Sequence, residues 1–400
     1  MRCRDYIRLL SEGFSFHTFE LKLIFRAGDT TFQKIMRLLE QMSKDKEFYE
    51  LSSYGEGRFF CGHFFAHGIR IYLSQLDKWD IVKLVINPRK LIDPKSHYLG
   101  IMLCDSHSFD LMEKKFATIM EKIGLPTNMN DWTLTRIDLC VNLVFDRKKL
   151  PCQIIELIRR GPDTNGFHKE DWVTYYSVKS IDEKATLKKH SVKFENQSVA
   201  FVAYDKCYQM KLENLPLPKG MSPRGILRLE LRCKKDWINK QAAKHGYKKT
   251  LEKIRFLAEN SQHYLSAYAR RLLPTGEYCQ PKAIKEKIKN AINIRKKTKK
   301  RMEKFINVLD SSNVNFEKAI RKMGTDLSDK TLRAMSDSFA ALGICPVPLS
   351  TKCKLKSITS IPSVLDQIGD SGLDIRLYKK NKKRPKLILA CREDNEGMDL

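Results

Sequence analysis

Three alternating stretches each set unlike polar groups against an apolar face. In LTRIDLCVNLVFD (134–146), Ile137, Leu139, Val141 and Leu143 share one side, while Arg136, Asp138, Cys140 and Asn142 share the other. In SVAFVAYDK (198–206), Val199, Phe201 and Ala203 oppose Tyr204 and Lys206. In ILRLELRCKK (226–235), Leu227, Leu229 and Leu231 oppose Arg228, Glu230 and Arg232, which are expected to face outward. Placed side by side, these strands gather two carboxylates, a phenol and several cations on one sheet surface. Metal-assisted phosphoryl transfer needs such a set. Taken singly, a strand tyrosine is ordinary packing and an Asp–Arg neighbour pair is an ordinary surface ion pair. Only their co-location gives them a chemical meaning.

The elements that must position these groups read as α+β. A strand FELKLIFRA (19–27) leads into a helix over TTFQKIMRLLEQM, with Phe32, Ile35, Leu38 and Leu39 on one side. A hairpin turning at Gly55–Gly57 follows, then the strands GIRIYLSQL and DIVKLVINPRKL, the last closed by Asn87-Pro88. Phe109–Gly124 reads as a second helix. From Leu134 the order recurs: strand 134–146, helix 150–161, strand WVTYYSV (172–178), a hairpin through KFENQSVAFVAYDK, and the strand at 226–235. The recurrence predicts a duplicated β-α-β-β-β unit with mainly antiparallel sheets. Tyr72 stands in the first copy roughly where Tyr204 stands in the second. The first copy lacks the Asp138–Glu230 pair and reads as inert.

Beyond Lys235 the pattern turns helical. KAIKEKIKNAINIRKKTKKRMEKF (282–305) is strongly basic, with only Glu286 and Glu303 for balance, which favours contact with a nucleic-acid backbone. Further on, one helix ends at Gly324 and Ser328 caps the next, a spacing that predicts a helix-turn-helix with Lys330 and Arg333 at the DNA. Four regions follow: an N-terminal α+β half that contacts DNA (1–130), a catalytic α+β half (131–240), a basic helical DNA-binding region (241–345) and a partly flexible tail (346–400).

Composition agrees with a polyanionic partner. The 400 residues carry a formal net charge of +27, with a pI near 9.6. No run is long and apolar enough to span a bilayer, and MRCRDYIRLLSEG lacks a signal-peptide core, so a cytoplasmic protein is expected, away from membranes. The eleven cysteines are scattered without a C-x-x-C pair and read as reduced thiols.

The succession NPRKL, TRIDLCVNLVFD, FVAYDK and LRLELRCKK, spanning about residues 80 to 235, resembles the landmarks of the Rep_trans rolling-circle replication initiators of plasmids and mobile elements. Those landmarks are N-P-x-K-L, [F/L]-T-R-[IL]-D, R-[IV]-Y-[ND]-K and R-[VL]-E-[IL]. The resemblance implies that Tyr204 is the nicking nucleophile and that Asp138 and Glu230 hold a divalent metal, Mg2+ or Mn2+ by their all-oxygen chemistry. A phenol needs activation at neutral pH, and Lys206 on the same face would lower its pKa. Arg136 and Arg228 would grip the phosphate as guanidinium forks. The implied product is a 5′-phosphotyrosyl enzyme and a free 3′-hydroxyl at a replication origin, in single-stranded or supercoiled double-stranded DNA. A homodimer and a recruited host helicase are implied with it. The chain departs from the family at Asn142, Val202 and Arg232, where a second acid, an arginine and a second glutamate are usual. Tyr208, four residues after Tyr204, would share its face if the segment were helical.

Other classes fit less well. Two-histidine nickases need ligands separated by one residue, whereas His63 and His67 are four apart. His67-Gly-Ile-Arg70 matches the H-x-x-R string of tyrosine recombinases but lies far from Tyr204 in a strand context. A non-enzymatic helix-turn-helix regulator is the alternative from a different class, and it leaves Asp138, Tyr204 and Glu230 unexplained.

Overall fold

The alternating stretches assemble into one large antiparallel sheet. The computed structural model describes residues 6–376, apart from 45–46, 52–55, 97, 146, 171–188, 216–224, 312–313, 325–327 and 372–373. The predicted strand at 172–178 and the segment from 377 onward therefore lie outside the described residues.

The first half contributes β1 (Tyr6–Arg26), β2 (Phe48–Glu50), β3 (Arg58–Cys61), β4 (Ile69–Gln75) and β5 (Trp79–Ile86). The second contributes β6 (Thr133–Phe145), β7 (His168–Glu170), β8 (Ser191–Glu195), β9 (Val199–Asp205) and β10 (Gly225–Lys234). Their order across the sheet is β2-β3-β4-β5-β1-β6-β10-β9-β8-β7. In each half the first strand lies innermost, the last strand sits beside it, and the others run outward in reverse. Two short strands, β11 (Tyr278–Cys279) and β12 (Ser357–Ile358), pair separately, and β13 (Asp374–Arg376) adds to β1.

β1 is far longer than the strand expected from Phe19. Its alternation changes phase, because Phe14 and Phe16 fall on even positions and Phe19 and Leu21 on odd ones. The pairing with β6 shifts register between Leu9 and Phe14 and again between Phe16 and Thr18, with Gly13 at a φ of 66° in the first irregular stretch. A bulge inserts one residue and reverses the facing of everything beyond it, so no single period spans the strand.

Thirteen α-helices are described: α1 (Thr30–Met42), α2 (Pro88–Ile92), α3 (Ser106–Lys122), α4 (Leu150–Arg160), α5 (Lys206–Leu212), α6 (Lys235–Lys244), α7 (Thr250–Glu259), α8 (Ser261–Leu272), α9 (Pro281–Asn290), α10 (Lys296–Ser311), α11 (Phe316–Met323), α12 (Asp329–Ala341) and α13 (Ile361–Ser371). Asn87 ends β5 as the N-cap of α2, its side chain accepting from the Lys90 amide at 3.1 Å, with Pro88 in the first turn. NPRKL is thus a strand end and a helix start in one.

Ile71, Leu84, Phe19, Leu139, Leu229 and Phe201 line the apolar face of the sheet, and they share one core with the inward sides of α1, α3, α4 and α6–α8. Val347, Leu349, Leu355, Ile358, Val364 and Leu365 belong to the same core. The boundary drawn at 346 therefore does not end the packed chain. The stretch was expected to be a partly flexible tail, but these apolar side chains are buried. A second, separate core joins α9–α12 through Ile284, Ile288, Met302, Phe305, Met323 and Phe339. The basic stretch at 282–305 is two helices rather than one, broken at Ala291–Arg295, where Ile292 stands 95% exposed. Among the described residues, no helix is long and apolar enough to cross a membrane, and the cysteines are free thiols.

Candidate catalytic face of the sheet

Strand pairing brings the sequence-selected residues together. Asn142 lies opposite Arg228, which lies opposite Tyr204, while Asp138 faces Arg232 and Cys140 faces Glu230. All stand at alternate positions, so they share one side of β6, β10 and β9. The bulge in β1 adds His17 and Thr18 to the same region. Lys206 reaches it differently from expected: β9 ends at Asp205, which caps α5 by accepting from the Tyr208 amide at 3.1 Å, and Lys206 is the first helical residue. Its Nζ still lies 6.0 Å from the centre of the Tyr204 ring.

This face was expected to meet solvent, yet Tyr204 is only 3% exposed and Arg228 is fully buried. The segment around Leu99–Met102 and helix α5 cover it. The Leu99 carbonyl accepts from Asn142 Nδ2 at 2.9 Å and from Arg228 Nη2 at 2.7 Å, and Ser15 donates to the Met102 carbonyl. Polar groups on the sheet thereby satisfy the backbone of their own cover.

At the centre, the Tyr204 hydroxyl donates to Glu230 Oε1 at 2.5 Å, and Arg232 Nη2 donates to Oε2 at 3.1 Å. Arg228 donates through Nε to Asn142 Oδ1 at 2.7 Å, and its Nη1 stands 3.9 Å from Glu230 Oε1. Burial opposes a charge on Glu230, but Arg232 and Arg228 outweigh it and hold the carboxyl below the usual range. Burial, and then the Glu230 charge, push the Tyr204 phenol well up; Arg228 and Arg232 pull the other way without reversing it. Burial, followed by repulsion from Arg228, pushes the Lys206 amine down to about 7. Its Nζ donates to Gln209 Oε1 at 2.7 Å. Burial and the charges of Arg228 and Lys206 likewise push the His17 imidazole well below its usual value.

A second centre lies beside the first. Asp138 accepts from Thr18 Oγ1 at 2.5 Å and, in a fork, from Arg136 Nε at 2.9 Å and Nη2 at 3.1 Å. Arg136 also reaches Glu20 at 2.7 Å. The two guanidinium groups expected to grip phosphate are thus engaged within the protein, Arg136 at a partly open rim and Arg228 in the interior. Nor do Asp138 and Glu230 fit a divalent cation as they stand. Every one of their four oxygens accepts from a hydroxyl or a guanidinium, and arginines already balance both charges.

Sequence reasoning missed His17, because its strand was started at Phe19. The out-of-phase aromatic pairs Phe14/Phe16 and Phe19/Leu21 were the available signal for the bulge that presents it. It also missed the place of Arg232, directly opposite Asp138. Tyr208 does lie on a helix, but its ring stacks on His190 with centroids 3.5 Å apart. Lys330 and Arg333 are exposed on α12, in the separate helical core, where Ser328 caps the helix by accepting from the Thr331 amide at 3.3 Å. Among the described residues, donor atoms that do converge belong to Cys152, His190 and Asp205, with Asp205 on the opposite face of β9 from Tyr204. No protein-family model matches the chain, and no curated protein matches it.

Proposed function

We propose that the chain is a DNA strand-nicking and rejoining transferase that initiates rolling-circle replication in the cytoplasm, with Tyr204 as its nucleophile. The contact at 2.5 Å between the Tyr204 hydroxyl and Glu230 carries this reading. In it, Glu230 takes the phenolic proton while the phenolic oxygen bonds to the scissile phosphorus. The bond from phosphorus to the 3′ oxygen breaks, and that oxygen takes a proton from solvent water to leave as a free 3′-hydroxyl. The 5′-phosphotyrosine keeps the bond energy for rejoining. Arg228 and Arg232 stand against Glu230, the partner of the Tyr204 hydroxyl, where their charges act on the reacting groups. DNA enters from the Arg136–Arg232 rim, displacing the cover around Leu99–Met102.

The strand order supports reading the two halves as a duplicated unit. Tyr72 pairs with Lys83, and Lys83 with Lys22, as Tyr204 pairs with Arg228 and Arg228 with Asn142. Two positions along from Lys83, Val85 takes the place of Glu230, leaving the first copy without a base. That half offers Arg70, Lys83 and Lys22 as backbone contacts. The α11–α12 pair, with Lys330 and Arg333, is the proposed helix-turn-helix. A homodimer and a host helicase complete the reading by resemblance.

The test incubates the full chain with single-stranded oligonucleotides tiling the DNA around its own coding region. Separate arms contain magnesium, manganese or chelator, and denaturing gels and mass spectrometry follow. A covalent adduct absent from Tyr204→Phe is the expected result. An adduct that persists in that variant would transfer the role to Tyr208. Binding without an adduct in any arm would instead favour a non-enzymatic DNA-binding regulator.

A further inference from the structure

Behind Tyr204, three segments meet at one point. Cys152 sits in the first turn of α4, His190 immediately precedes β8, and Asp205 ends β9. Cys152 Sγ lies 3.1 Å from His190 Nδ1 and 3.3 Å from Asp205 Oδ2, and the last two atoms are 3.3 Å apart. A nucleophile–histidine–acid relay uses the two ring nitrogens for two different partners. Here a single nitrogen faces both the sulfur and the carboxylate, so the three atoms close a triangle. Around a tetrahedral ion with bonds of about 2.0–2.3 Å, ligand atoms stand about 3.3–3.6 Å apart. The observed triangle is only slightly tighter.

The donors are also held in place. The Asp205 amide donates to the His190 carbonyl at 2.9 Å, fixing the two residues against each other. The second Asp205 oxygen caps α5 at the Tyr208 amide, and the Tyr208 ring lies flat on the imidazole, 5° from parallel. Such supporting contacts orient ligands before an ion arrives. The His190 side chain is 21% exposed, so the cluster is not sealed within the core.

We propose that Cys152, His190 and Asp205 bind a divalent transition-metal ion, zinc by the chemistry of the donors, with water in a fourth position. Thiolate and imidazole together select against magnesium and manganese, which prefer all-oxygen sites. Alternation along β9 puts the Asp205 side chain on the opposite face from the Tyr204 hydroxyl. The ion is therefore structural: it ties α4 to the point where β9 becomes α5, and so braces the strand that carries Tyr204.

The full chain, produced with zinc in the medium and dialysed exhaustively, is measured by elemental mass spectrometry. One zinc per chain is expected, falling to background in Cys152→Ser and His190→Ala and unchanged in Tyr204→Phe. Cobalt(II) replacement gives a second readout that does not depend on a variant folding. The wild type should show an intense thiolate-to-cobalt charge-transfer band in the near ultraviolet, competed away by zinc. Circular dichroism establishes that each variant is folded. A folded wild type with neither zinc nor the cobalt band would overturn the proposal, leaving a hydrogen-bonded triad. Zinc retained in both variants would overturn it too, placing the ion elsewhere.

Discussion

Glu230 stands between cations, and that is where the site is most sensitive. Converting Glu230→Gln leaves the buried Arg228 and the half-buried Arg232 without this counter-charge, a change of about 3 kcal/mol or more. Tyr204→Phe removes one hydrogen bond to a charged acceptor, worth about 1.5–3 kcal/mol. Urea midpoints should fall clearly further for the first variant; equal midpoints would mean that Glu230 is not balancing the arginines. The pH dependence has a definite sign. A carboxyl held below its unfolded value contributes stability that is complete above about pH 4.3 and lost as pH falls through the folded value. The wild type should therefore lose stability more steeply than Glu230→Gln as pH drops below about 4. Much of this centre was legible from alternation alone, which set Asp138, Tyr204, Arg228 and Glu230 on one face. Burial was not legible, because the cover at Leu99–Met102 presents backbone carbonyls rather than a side-chain pattern. Nor was the engagement of Arg136 with Glu20, which depends on a register shift in β1.

Among the elements, hairpins and helices with clean periods were readable, and interruptions were not. The α9–α10 break was hidden because Ile284, Ile288 and Ile292 keep helical spacing into it. The result is a helical pair whose connecting turn and the start of the following helix expose Arg295, Lys296, Lys297 and Lys300 to solvent. If this pair contacts DNA phosphates, each lysine displaces a counterion from the duplex. Replacing Lys296, Lys297 and Lys300 by glutamine should reduce the slope of log affinity against log salt by about three. Stability should change little, since none of the three is buried. Fluorescence anisotropy across a salt series measures the slope, and an unchanged slope would remove α10 from the interface. The packing of residues 347–365 into the main core was missed for a related reason: their apolar residues come in short runs between prolines, with no period long enough to register.

At the scale of the whole molecule, α+β architecture and antiparallel pairing followed from the order of the elements. The join between the halves did not, because strand patterns say which face is buried but not which neighbour lies alongside. That join has a consequence during synthesis. β1 pairs with β5 on one side, and both emerge early from the ribosome. Its other side waits for β6, whose residues are made much later. Until then the growing chain presents a long, open strand edge bearing Phe14, Phe16, Phe19 and Leu21, a template for pairing with neighbouring nascent chains. A chain stopped just before Thr133 should accumulate in the insoluble fraction. One stopped after Lys234, with β6 and β10 in place, should accumulate there much less. Sedimentation of the two truncated products from one translation extract would decide it, and equal solubility would show that β1 is shielded by some other segment while it waits.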